Sequence, residues 1–154
     1  MQADPALESL IKWSVAEGHR AHVPTTLPPT LMGFAGEFET TGRHDARVWW
    51  WDDGHEVESG PPNVGLLITR ESVKQVHRMC PLQDVPIRYF RSPRKPTIAL
   101  CRSGISRAAA MKGPGGWTYV VRSKYYGGTH ESDMIAMLRS LARTPQPTYL
   151  PPAP

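Results

Sequence analysis

Residues 117–126 read Trp117-Thr118-Tyr119-Val120-Val121-Arg122-Ser123-Lys124-Tyr125-Tyr126. This run of β-branched and aromatic residues fits a pleated, half-buried surface. Strict alternation sends Trp117, Tyr119, Val121, Ser123 and Tyr125 to one face, and Arg122, Lys124 and Tyr126 to the other. Before it, Gly113-Pro114-Gly115-Gly116 is suited only to a turn. After it, Gly127-Gly128 ends the strand and Thr129 opens a helix over 130–143. That helix has Glu131 and Asp133 in its first turn and Arg139 and Arg143 near its end, matching the helix dipole. Met134, Ile135, Leu138, Leu141 and Ala142 form its apolar stripe.

The same signals recur toward the N-terminus. Thr97–Leu100 and Val85–Arg91 read as strands, separated by the break Ser92-Pro93-Arg94-Lys95-Pro96. Val64–Ile68 is a short buried strand leading into a helix over 70–80, with Val73, Val76, His77 and Cys80 at helical spacing. Arg47–Trp51 and His55–Glu58 flank Asp53-Gly54, a hairpin signal. Asp4-Pro5 starts a helix over 5–17, with Asp as cap and Pro at the first helical position. The expected architecture is therefore α+β: one domain over 1–143, a mainly antiparallel sheet flanked by about three helices. A Pro-rich connector over 23–33 lies inside it. Five prolines in residues 144–154 make an extended tail.

The chain has 154 residues, 40% hydrophobic and 21% charged, enough to bury a core without help from a metal or a disulfide framework. Two cysteines, Cys80 and Cys101, do not make such a framework. No apolar run is long enough for a membrane span, and the first residues lack the pattern of a signal peptide. A cytoplasmic location without membrane contact is expected. Charge is distributed unevenly. Residues 1–84 hold 7 Lys/Arg against 12 Asp/Glu, whereas residues 85–154 hold 11 against 2. Such asymmetry points to a polyanionic partner for the second half, or to attraction between the two halves.

The leading functional reading is nucleic-acid binding. Arg88-Tyr89-Phe90-Arg91 with Arg94 and Lys95 interleaves cations with rings, and Arg122, Lys124, Tyr125 and Tyr126 repeat the theme. Phosphates select Arg and Lys, and unpaired bases select flat rings, which together suit RNA or single-stranded DNA. The competing class is a protein-interaction or assembly subunit, a homo-oligomer included. Its basis is Trp49-Trp50-Trp51, which cannot all face one side of a strand, and the Pro-rich tail.

A third reading is enzymatic. Cys101-Arg102-Ser103-Gly104-Ile105-Ser106-Arg107 follows an apolar run in the form C-x-x-G-x-x-R. It resembles the phosphate-binding loop of the cysteine-dependent tyrosine phosphatases, though Leu100 and Ala108 stand where that family has His and Ser/Thr. The resemblance implies a thiolate at Cys101 in a nest of backbone N–H groups, and Arg107 as phosphate clamp. Asp84 is the candidate general acid. His130 beside Lys124, Tyr125 and Tyr126 offers acid–base chemistry on a phosphodiester. His19-x-x-His22 and His77-x-x-Cys80 have ligand-like spacing, but nothing pairs them into a four-ligand site. Neither a metal nor a cofactor is expected.

Overall fold

A computed structural model describes residues 4–28, 31, 37–40, 44–51, 64–70, 87–103, 106–123 and 130–142. The chain order is α1 (Pro5–Ala16), β1 (Val23–Pro24), β2 (Glu37–Thr40), β3 (Asp45–Trp50), β4 (Val64–Thr69), β5 (Arg88–Phe90), β6 (Ile98–Ser103), β7 (Ser106–Lys112), β8 (Thr118–Ser123), α2 (Glu131–Arg139) and β9 (Leu141–Ala142). Seven strands form one sheet in the order β2-β3-β4-β8-β7-β6-β5. Every neighbouring pair in it is antiparallel. β1 and β9 make a separate two-stranded ribbon.

The mixed helix–strand class and the antiparallel sheet agree with the sequence reading. The helix count does not. Two α-helices are present among the described residues, and most of the helix expected over 70–80 lies outside them. The helix expected over 130–143 ends at Arg139. There Ser140 Oγ accepts from the N–H groups of Thr25 and Thr26, both at 3.1 Å, and Thr25 Oγ1 donates to the Ser140 carbonyl at 2.6 Å. These bonds draw Leu141 and Ala142 into pairing with Pro24 and Val23. The connector, expected to lack regular structure, thus contains a strand. The hairpin expected at Asp53-Gly54 falls outside the described residues; the described neighbours of β3 are β2 and β4. Residues 55–58 lie outside the described residues, as does the tail.

Helix α1 begins as its sequence dictates. Asp4 Oδ1 accepts from the Ala6 N–H at 2.9 Å, Pro5 sits at the first helical position, and Gly18, at φ 87°, follows its end. Leu7, Leu10 and Ile11 of α1, with Met134, Met137 and Leu138 of α2, share one core with Val48, Trp50, Leu66, Ile68, Leu100, Ala109, Met111, Tyr119 and Val121. Both helices therefore cover the same face of the sheet. A smaller cluster of Leu67, Cys101, Ala108, Ala110 and Val120 occupies the opposite face and is also buried. This two-sided burial explains why β4 reads as six consecutive buried residues.

Candidate nucleic-acid interface

The edge strand β5 positions the first candidate group. Arg88, Tyr89 and Phe90 are all exposed, and Tyr89 and Phe90, at 57% and 40%, stand out among large apolar side chains. Register places Arg88 and Phe90 on the helix-covered face, opposite Leu100 and Ile98, and Tyr89 on the other, opposite Ala99. The Arg91 guanidinium lies 5.6 Å from the centre of the Tyr89 ring. Arg88 pairs with Glu131 at the start of α2.

A tight turn carries the next two cations. The Lys95 N–H donates to the Ser92 carbonyl at 3.3 Å, with Pro93 at the second position and Arg94 at the third. Arg94 has φ 60°, the one positive φ among described non-glycine residues. A type II turn demands this of its third residue, where glycine is preferred. Holding an arginine there costs on the order of 1 kcal/mol. Arg139 stands in the last turn of α2, as the helix-dipole reading expects, and it also braces the segment. Its Nη1 donates to the Pro96 carbonyl at 2.7 Å, and its guanidinium lies 5.9 Å from the Phe90 ring centre.

Arg88, Tyr89, Phe90, Arg91, Arg94 and Lys95 thus form one contiguous exposed edge. Arg122 stands apart from it. It projects from β8 on the face opposite the helices, with Gly65 and Ala108 as cross-strand neighbours, and β8 is three strands in from β5, about 14 Å. Lys124, Tyr125 and Tyr126 lie outside the described residues. The expected convergence of all these cations on one face therefore does not extend to Arg122.

The described geometry at Cys101 does not supply what the phosphatase-like reading requires. Cys101 is 1% exposed within β6 and disulfide-bonded, so it presents no thiolate. The chain's other cysteine is Cys80, outside the described residues, as is Asp84. Cys101 faces Ala108 and Arg102 faces Arg107 across the β6–β7 ladder. Extended ladder backbone does not turn successive N–H groups inward around an anion. A strand, β7, begins where the family's helix should start, because Ala108–Met111 is buried on both faces of the sheet.

Trp49 and Trp50 are core residues and not an outward patch. Trp50 is fully buried on the helix side, its Nε1–H donating to Asp4 Oδ2 at 3.0 Å. Trp49 is 9% exposed on the other face, donating to Glu39 Oε1 at 3.0 Å. Its indole lies against Gly65, where an added Cβ would come within 2.6 Å of the ring. Trp51 is half-buried beyond the strand. A hollow beside Trp49, lined by Arg47, Leu67 and Arg122, holds about 20 Å³, room for one water and too little for an organic ligand.

At the far end of β8, Tyr119 Oη accepts from the His22 N–H at 2.8 Å and donates to the Pro114 carbonyl at 3.2 Å. Burial pushes its phenol up to about 12, against the lowering effects of that N–H and of Arg70. Arg70 stacks 3.9 Å from the Trp117 ring centre and donates to the Gly115 carbonyl at 2.9 Å. His19 contributes its carbonyl, accepting from Trp117 Nε1 at 2.8 Å. Among the described residues no three His, Cys, Asp or Glu side chains cluster as metal ligands. No helix among them is long and apolar enough to cross a membrane. Comparison with protein-family models, with curated proteins and with solved structures finds no match to this chain.

Proposed function

We propose that the protein binds single-stranded nucleic acid, RNA or DNA, along β5 and the turn that follows it. The observation that carries this reading is the exposure of Tyr89 and Phe90 on a strand bracketed by Arg88, Arg91, Arg94 and Lys95. Exposed rings provide stacking for unpaired bases, and flanking cations track the phosphates. Arg122 lies on the same face as Tyr89 but three strands away, so it enters only where the bound strand runs on across the sheet; Lys124, Tyr125 and Tyr126 belong to the proposed set from the sequence alone. The protein acts as one α+β domain over 1–143 with a Pro-rich tail, and chemistry on the bound strand is not part of the reading. The disulfide at Cys101 favours an oxidising compartment over the cytoplasmic setting expected from the sequence.

Fluorescence anisotropy with labelled single-stranded RNA and DNA tests the proposal. Four phosphate contacts predict a log–log salt slope near −2.8, or roughly a 50-fold loss of affinity between about 50 and 200 mM salt. Replacing Arg91, Arg94 and Lys95 with Ala lowers the slope by about 2. Binding that ignores salt, or survives the triple replacement, refutes the assignment.

A further inference from the structure

Among the described residues, the two end strands of the seven-stranded sheet leave their outer edges unpaired and carry opposite charge. β2 ends the sheet on one side and β5 on the other. β2 reads Glu37-Phe38-Glu39-Thr40, with both glutamates exposed. β5 reads Arg88-Tyr89-Phe90 and continues into exposed Arg91, Arg94 and Lys95. The charge imbalance between the chain's halves is thus placed by the fold at opposite ends of one sheet. Arg88 is paired with Glu131 of the same chain, so the free positive charge of this edge is carried by Arg91, Arg94 and Lys95.

We propose that these edges pair head to tail, β5 of one copy against β2 of the next. An open edge presents unpaired N–H and C=O groups that another strand can complete. Like edges repel: two β2 strands would oppose glutamates, and two β5 strands would oppose arginines. The pattern therefore blocks symmetric pairing and leaves the unlike pair, a form of selection by charge. Geometry is compatible with this. Six antiparallel steps separate β2 from β5, so the two run in the same direction. Copies in the same orientation pair them as parallel neighbours with their helices on one side. Glu37 and Glu39 share the face of Trp49 and Arg47, the face on which Tyr89 projects and over which Arg91 stacks. On the opposite face, half-buried Phe38 meets the Phe90 side. A heterologous contact of this kind closes a ring or extends into an open chain of copies.

Sedimentation of the full chain, without nucleic acid, tests the inference independently of whether β5 also binds a single strand. The weight-average mass is expected to at least double between about 5 and 200 µM protein in about 50 mM salt, and to fall back in about 500 mM salt as the screening length shortens. Two variants then separate the edges. One is Glu37→Lys with Glu39→Gln, which keeps an acceptor for the Trp49 indole. The other is Arg88→Gln with Arg91→Glu. Each alone is expected to remain monomeric, with a thermal midpoint close to that of the parent. Mixed in equal amounts they regain association, because the basic edges of the first face the acidic edges of the second. Overturning results are a parent that stays monomeric at the highest concentration, a variant that associates as well as the parent, or a mixture that stays monomeric.

Discussion

Replacing Asp4 with Ala removes one carboxylate that serves two elements. Asp4 is fully buried. Its Oδ1 accepts from the Ala6 N–H and caps α1, and its Oδ2 accepts from Trp50 Nε1, which joins that cap to β3. Loss of an N-cap costs about 1 kcal/mol. Leaving the buried indole N–H without an acceptor costs about a further 1–3 kcal/mol. The sum, about 2–4 kcal/mol, is a large share of a typical domain's stability. Urea unfolding followed by tryptophan fluorescence and by helix circular dichroism measures it, with an unchanged m-value as the two-state check. Two companions isolate the contributions. Asp4→Asn keeps an amide oxygen for the cap or the indole and should cost less than half as much. Trp50→Phe removes the donor, so adding Asp4→Ala to that background should cost only about the cap's 1 kcal/mol. The reasoning fails if Asp4→Ala costs under about 1 kcal/mol, or if its cost is the same with and without the indole.

Three further outcomes follow from single positions. Tyr119, with its phenol raised from 10.0 to about 12, keeps its proton in the folded state while the unfolded chain loses it. Stability should therefore fall as pH rises from 10 towards 12, by about 2–3 kcal/mol at most, and Tyr119→Phe should fall less steeply over the same window. Arg94→Gly relieves the positive φ of the turn and should raise stability by up to about 1 kcal/mol while weakening oligonucleotide binding; a loss of stability would refute the strain. Gly65→Val places a branched side chain against the Trp49 indole, which even a bare Cβ would approach to 2.6 Å. It should destabilise by about 1–3 kcal/mol in denaturant titration, with a shift in Trp49 fluorescence.

What the sequence reveals about this fold depends on whether the signal is local. β8 is legible in full, faces included, because alternation over a β-rich run is a property of the segment itself. The start of α1 is legible for the same reason, since a cap and a proline act within one turn. β7 is not. Its centre, Ala108-Ala109-Ala110, carries a residue depleted in strands. It becomes a strand because small side chains fit between two flanking strands and beneath α2. β2 is four residues long with alternating glutamates, below the length at which periodicity identifies a strand. The candidate site divides along the same line. Arg88 to Lys95 is visible as a sequence cluster because it is contiguous. The bracing by Arg139, the separation of Arg122 and the position of β5 at an edge all depend on the strand order. That order is fixed by long-range pairing, and no single segment carries it. The same dependence governs the charge pattern. An acidic first half and a basic second half could have neutralised each other in adjacent strands. Six ladders place β2 and β5 at opposite ends, and this separation leaves two edges of unlike charge that, in the pairing proposed above, meet only between copies.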